Sequence, residues 1–140
     1  MLKGLDVQLV PQLLLALAEM GHGDLVAVVD RNFPAHSSGT RVVELPQSTA
    51  YSALDAVLSV LPIDRFGAAA VVHMLTDDGA ESPATAEIRA LWELAEGGAI
   101  AEDGLRRMDG FYDLAKQAYV TVRTGEELPY ACYLIRKGVH

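Results

Sequence analysis

The run Leu25-Val26-Ala27-Val28-Val29 constrains the fold of this chain more than any other stretch. It is apolar at every position, rich in β-branched residues, and flanked by Gly21-His22-Gly23-Asp24 before it and Asp30-Arg31-Asn32 after it. A run this short is too brief for an ordinary helix. Continuous rather than alternating hydrophobicity marks a strand covered on both faces. Such a strand needs packing elements above and below its sheet, so the pattern points to an α/β unit.

The remainder of the chain alternates helical and extended readings around that strand. Pro11 suits a first helical turn, Leu13, Leu14, Leu17, Ala18 and Met20 form an apolar stripe, and Gly21 stands where a left-handed cap would end the helix. Residues 31–39 read as a loop, and residues 41–45 as a strand closed by Pro46. Thr49 or Ser48 can cap a helix over residues 50–61, stopped by Pro62. Residues 68–75 read as a third strand, followed by the acidic turn Asp77-Asp78-Gly79. Ser82-Pro83 opens a helix to about residue 95, ended by Gly97-Gly98. Residues 111–118 read as a helix, and 119–123 and 130–136 as two further strands. The expectation is one domain over residues 1–140, with about four helices and five or six strands.

With 51% hydrophobic and 21% charged side chains in 140 residues, the chain has material for one core and does not read as disordered. Eleven Lys and Arg against nineteen Asp and Glu give −8, which disfavours an electrostatic grip on nucleic acid or an anionic membrane. No segment approaches the roughly 18 uninterrupted apolar residues of a membrane span. The N-terminal stretch, broken by Asp6, Gln8, Pro11 and Gln12, makes a poor signal peptide. Cys132 is the single cysteine, which excludes an internal disulfide and a multi-cysteine zinc site and fits a reducing compartment. A soluble, cytoplasmic protein is expected. A mean hydropathy of +0.20 in so small a chain also points to apolar surface hidden in an oligomer.

Met20-Gly21-His22-Gly23-Asp24 is the sharpest local feature. A histidine between glycines sits on backbone that can approach a ligand closely; equally, the glycines can simply shape a tight turn with His22 exposed. Asp30 leaves the carboxyl end of the central strand, where open α/β sheets face their ligand crevice. Its carboxylate can accept hydrogen bonds from sugar hydroxyls or orient a cation, or it can merely stabilise the Arg31-Asn32 turn. His22 and Asp30 fall at opposite ends of the strand, roughly 20 Å apart, and need not meet within one subunit. Tyr130, just after Pro129, offers an apolar face and a hydroxyl for a sugar ring, whereas Phe111 and Tyr119 read as core. His73 reads as a hydrogen-bonded core histidine, His36 as a loop histidine, and Cys132 as a buried or pocket-wall thiol. The histidines lack metal-ligand spacing, and no phosphate-cradling glycine loop is present, so neither a metal nor a nucleotide is expected.

The chain resembles the ribose pyranase and fucose mutarotase (RbsD/FucU) family nearly end to end, nearer its fucose branch. The resemblance rests on Met1-Leu2-Lys3-Gly4, on Leu17-Ala18-Glu19-Met20-Gly21-His22-Gly23-Asp24, and on Asp30 with Asn32-Phe33-Pro34-Ala35-His36-Ser37. It continues through Phe111-Tyr112, Thr124-Gly125-Glu126, Tyr130 and Arg136-Lys137-Gly138-Val139. The resemblance implies a three-layer α/β/α domain with a mixed β-sheet. It also implies a cofactor-free isomerase of carbohydrate metabolism that interconverts cyclic forms of a free monosaccharide, foremost L-fucose. Members form ring-shaped homodecamers with sites at subunit interfaces. By resemblance His22 is the catalytic histidine, Asp30 the sugar-binding carboxylate, and Tyr130 the tyrosine of the usual Tyr-Gly-Asn segment.

Two departures stand out. The Tyr-Gly-Asn segment reads Tyr130-Ala131-Cys132 here, with a weakly bonding thiol in place of an amide. The usual Arg-Phe-x-Phe-Tyr has Met108 at its arginine position and Arg107 one residue earlier, so either Arg107 reaches the sugar along a shifted backbone or the arginine role is lost. Tyr130, Ala131, Cys132, Arg107 and Met108 are thus the candidate substrate-binding residues beside Asp30. The competing expectation is a non-catalytic monosaccharide-binding or transport-accessory protein on the same fold.

Overall fold

The structure is a computed structural model that describes residues 2–140; Met1, which opens the first motif above, lies outside the described residues. In chain order the main elements are α1 (Pro11–Glu19), β1 (Leu25–Val29), β2 (Arg41–Leu45), α2 (Ala50–Leu58) and β3 (Val71–Leu75). They continue with α3 (Thr85–Glu96), β4 (Glu102–Arg106), α4 (Tyr112–Ala115), β5 (Val120–Thr124) and β6 (Tyr133–Arg136). The strands form one six-stranded sheet in the order β2-β5-β1-β6-β3-β4. β5 runs parallel to both β1 and β2, and β3 runs parallel to β4. β6 lies antiparallel to both its neighbours, β1 and β3. The sheet is therefore mixed.

Local chemistry explains the elements. Every residue of β1 is buried, as a continuous apolar run between two covered faces requires. Pro11 starts α1, where its missing N–H costs nothing. Thr49 caps α2 in a reciprocal box with Ser52, each side chain accepting from the other's backbone N–H. Side chains alternate across each strand. Val26, Val28, Val71, Val122 and Tyr133 meet Leu13, Leu17, Leu54, Val57, Ile88 and Trp92 of α1, α2 and α3 on one face. Ala27, Val29, Val72, Met74, Cys132 and Leu134 meet Phe33, Ala35, Phe111 and Ala115 on the other. These are the three layers the resemblance implies, with the second covering layer made by the short α4 and the loop after β1.

The structure corrects four local readings. Gly21 is not the left-handed residue: α1 ends at Met20 in extended backbone, and Gly23 takes φ 91° instead. The last strand begins at Tyr133, leaving Tyr130 in the preceding turn. The helix expected over 111–118 is a widened turn, Arg107–Phe111, running into the four-residue α4. β4 has no counterpart in the sequence reading, because Glu-Asp-Gly-Leu-Arg is a charged edge strand paired only with β3.

The reversed β6 positions the site. Its first residue, Tyr133, lies opposite Val28 of β1 and His73 of β3. The segment entering β6 therefore reaches the same end of the sheet as Asp30 and the turn after β3.

Candidate functional site

Asp30 is buried at the carboxyl end of β1. Its Oδ1 accepts from the Asn32 backbone N–H at 2.9 Å, and its Oδ2 accepts from Cys132 Sγ at 3.4 Å. Burial pushes the Cys132 thiol well above its ordinary value, and the Asp30 carboxylate beside it adds to the shift. The thiol is thus a protonated donor and not a nucleophile. Ala131 packs with the α1–α3 face, so it presents backbone rather than a side chain at this end. Tyr130 is the one non-glycine with positive φ among the described residues, at 63°. Backbone of that kind costs roughly 1–3 kcal/mol and persists only where surrounding contacts hold it.

Arg107 reaches the same region. It opens the widened turn, in which Asp109 and Gly110 leave helical geometry; φ 121° at Gly110 is open to glycine without strain. Arg107 Nε donates to Asp77 Oδ1 at 2.8 Å and Nη2 to Asp77 Oδ2 at 3.0 Å, a two-pronged pair. That arginine holds the Asp77 carboxyl below its usual range, and the Tyr130 hydroxyl contributes. Asp77, then the Tyr112 hydroxyl, hold the Arg107 guanidinium above its own. The Tyr112 ring stands edge-on to Phe33, centroids 5.5 Å apart, which leads back to Asp30 through Asn32. Asp30, Phe33, Tyr112, Arg107, Asp77, Tyr130 and Cys132 therefore form a rim at the carboxyl ends of β1 and β3. Met108 is 73% exposed and makes none of these contacts. The shifted arginine, not the residue at the aligned position, faces the rim.

His22 is elsewhere. It sits in the turn before β1, where Gly23 N donates to the Lys137 carbonyl at 2.8 Å and Asp24 Oδ2 accepts from Gly21 N at 2.7 Å. Its Nε2 lies 3.1 Å from Oδ1 of Asp64, with the histidine side chain 49% exposed and the aspartate only 7%. The Phe66 backbone N–H, then His22, hold the Asp64 carboxyl below its usual value. An ionised carboxylate only accepts, so the contact places the hydrogen on Nε2 and leaves Nδ1 as the basic nitrogen. Phe66, beside the ring at a centroid distance of 6.2 Å, is 77% exposed.

The structure thus brings Asp30, Arg107, Tyr130 and Cys132 together and leaves His22 at the far end of β1. Asp64, Asp77 and Tyr112 were missed as site residues in sequence. Asp77 lay in the acidic turn already singled out, while Asp64 carried no local signal. The other histidines make different contacts. His36 Nε2 pairs with Glu44 at 2.7 Å on an exposed surface. His73 is buried, with Nε2 3.4 Å from Glu102 Oε1 and Nδ1 without a partner among the described residues, so it is a core histidine only partly satisfied. His73, Glu81 and Glu102 present ligand atoms within 4.8 Å of one another. Arg89, however, donates to both carboxylates, so the group forms an internally paired charge cluster. Among the described residues no helix is long and apolar enough to cross a membrane.

The profile of the RbsD / FucU transport protein family matches residues 3–140. The chain belongs to this family. It is 38% identical to L-fucose mutarotase of Haemophilus influenzae over 99% of this chain and 97% of that protein. It is 37% identical to human fucose mutarotase over 99% and 94% of the two chains. Among solved structures, a Streptococcus pneumoniae fucose mutarotase in complex with L-fucose superposes with a TM-score of 0.91 at 31% identity, covering 99% of each chain. The superposed part of the chain takes in the whole six-stranded mixed sheet.

Proposed function

We propose that this chain is a sugar mutarotase: it interconverts cyclic forms of a free monosaccharide, with L-fucose the preferred sugar. Opening a hemiacetal ring needs a proton delivered to the ring oxygen and one removed from the anomeric hydroxyl, and closure reverses both. An imidazole does either near neutral pH. The observation that carries the reading is His22 itself, a half-exposed ring hydrogen-bonded to a buried, ionised Asp64. Asp64 fixes the tautomer and offsets the charge of the imidazolium when it forms. General acid–base catalysis of this kind is worth roughly 10²- to 10⁴-fold, enough for a reaction that already proceeds in water. At the rim, Asp30 accepts from sugar hydroxyls, Arg107 donates, and Tyr130 and Tyr112 supply ring faces.

His22 serves that rim only from another copy of the chain. Exposed apolar side chains flank both places: Phe66 beside His22, and Met108 and Leu128 beside the rim. Their exposure supports a homo-oligomer, taken here as a decameric ring, in which the His22 turn of one subunit closes the rim of its neighbour. A free cytoplasmic sugar is the substrate in this reading. Saturation-transfer NMR on the anomeric protons of L-fucose, D-ribose and D-galactose tests the reaction. Exchange faster than in buffer, lost in His22→Ala, is expected. Exchange no faster than buffer across the panel overturns the enzyme reading, and binding without exchange would favour the non-catalytic sugar-binding protein.

A further inference from the structure

A guanidinium fork attracts carboxylates and phosphates, so Arg107 alone would draw uronates and sugar phosphates to the rim. In this chain both prongs are already engaged by Asp77, at 2.8 and 3.0 Å. The turn that presents Asp77 is itself ordered. Thr76 N donates to the Ala80 carbonyl at 2.9 Å, Gly79 N donates to the Thr76 carbonyl at 2.9 Å, and the Thr76 hydroxyl bonds Asp78. The rim therefore holds two carboxylates, Asp30 and Asp77, against one guanidinium, and the guanidinium's strongest anion site is filled from within. An incoming anion must displace a tethered carboxylate and face a surplus negative charge. A neutral sugar meets neither cost, because hydroxyls use the remaining donors and the lone pairs of Asp30.

We propose that Asp77 is a specificity-determining residue: by occupying the Arg107 fork it makes the rim select neutral sugars and reject their carboxylate and phosphate derivatives. The inference rests on the reading that the rim binds the sugar. It assigns Asp77 no part in proton transfer. Its role is a charge filter.

The test is calorimetric titration of the unsubstituted protein, Asp77→Asn and Asp77→Glu with L-fucose and with D-galacturonate, a hexose acid of similar size. The quantity read is the ratio of the galacturonate Kd to the L-fucose Kd. At low salt the ratio is expected to fall about tenfold or more in Asp77→Asn, and to stay within about threefold of the original in Asp77→Glu, since only the first removes the charge. A ratio unchanged in Asp77→Asn, with L-fucose still bound by the unsubstituted protein, overturns the inference. Loss of both ligands in Asp77→Asn also overturns it, because Asp77 would then support the site rather than filter it. Failure of the unsubstituted protein to bind L-fucose would instead overturn the reading of the rim beneath it.

Discussion

Asp64→Asn isolates the claim that His22 acts as an acid–base group held by a buried carboxylate. The substitution preserves size and leaves an oxygen to accept from the Phe66 N–H, now at 3.1 Å, but it removes the negative charge 3.1 Å from His22 Nε2. A hydrogen bond to a charged partner is worth roughly 1.5–3 kcal/mol. This one strengthens when the imidazole takes up its proton. The amide oxygen can still accept a neutral bond worth roughly half as much, so at 1.36 kcal/mol per tenfold kcat for anomeric exchange should fall about 3- to 15-fold. KM for L-fucose should change little, because Asp64 makes no rim contact. Two-dimensional exchange NMR at several sugar concentrations separates the two constants. His22→Ala combined with Asp64→Asn should be no slower than His22→Ala alone, since the carboxylate acts only through the ring. A fall in kcat of less than about twofold, or a double variant slower by the product of the single effects, would refute the reasoning.

Asp30→Asn removes charge-assisted acceptance at the rim and should weaken L-fucose binding about 10- to 150-fold by calorimetry, with the fold intact. Cys132→Asn places an amide donor where the thiol now bonds Asp30 at 3.4 Å; exchange on L-fucose should rise, and no change would mean that this wall does not touch the sugar. Burial holds the His73 ring below its ordinary 6.5, with Glu102 and Glu81 opposing that shift and Arg89 adding to it. The unfolded chain then binds the extra proton first, so this contribution to stability is present above about pH 6.5 and is lost as pH falls through the lower folded value. Urea midpoints taken from about pH 7 to about pH 5 should fall more for the unsubstituted protein than for His73→Leu, and parallel declines would contradict the assignment. Thr49→Ala breaks the cap of α2 and should cost about 1 kcal/mol in urea denaturation.

The parts of the fold legible in sequence were those whose burial is written in residue type. The continuous β-branched run gave β1, and the apolar stripes ending at proline or glycine gave the helices of the first covering layer. β4 was illegible because an edge strand with one partner satisfies its outer side with water and charge, and Glu102-Asp103-Gly104 carries no strand pattern. The left-handed residue proved to be Gly23 because Met20 leaves α1 in extended backbone, which moves the tight turn downstream. Asp30, Tyr130 and Cys132, neighbours in the structure, are candidates on position and resemblance. Arg107 was left open against Met108, since only the backbone at Asp109 and Gly110 decides which side chain faces the rim. Asp64 and Asp77 matter through partners 42 and 30 residues away, a separation over which no local spacing rule operates.

The central claim is that one working site takes His22 from one copy of the chain and Asp30 with its rim from another. Subunit mixing tests it most directly. His22→Ala and Asp30→Ala, each inactive alone, are unfolded together in equal amounts, refolded, and assayed for anomeric exchange of L-fucose. A shared site predicts that activity returns to about a quarter of the unsubstituted level, because random assembly pairs an intact His22 with an intact rim that often. Exchange no faster than that of the two variants assayed separately would contradict a site built between subunits.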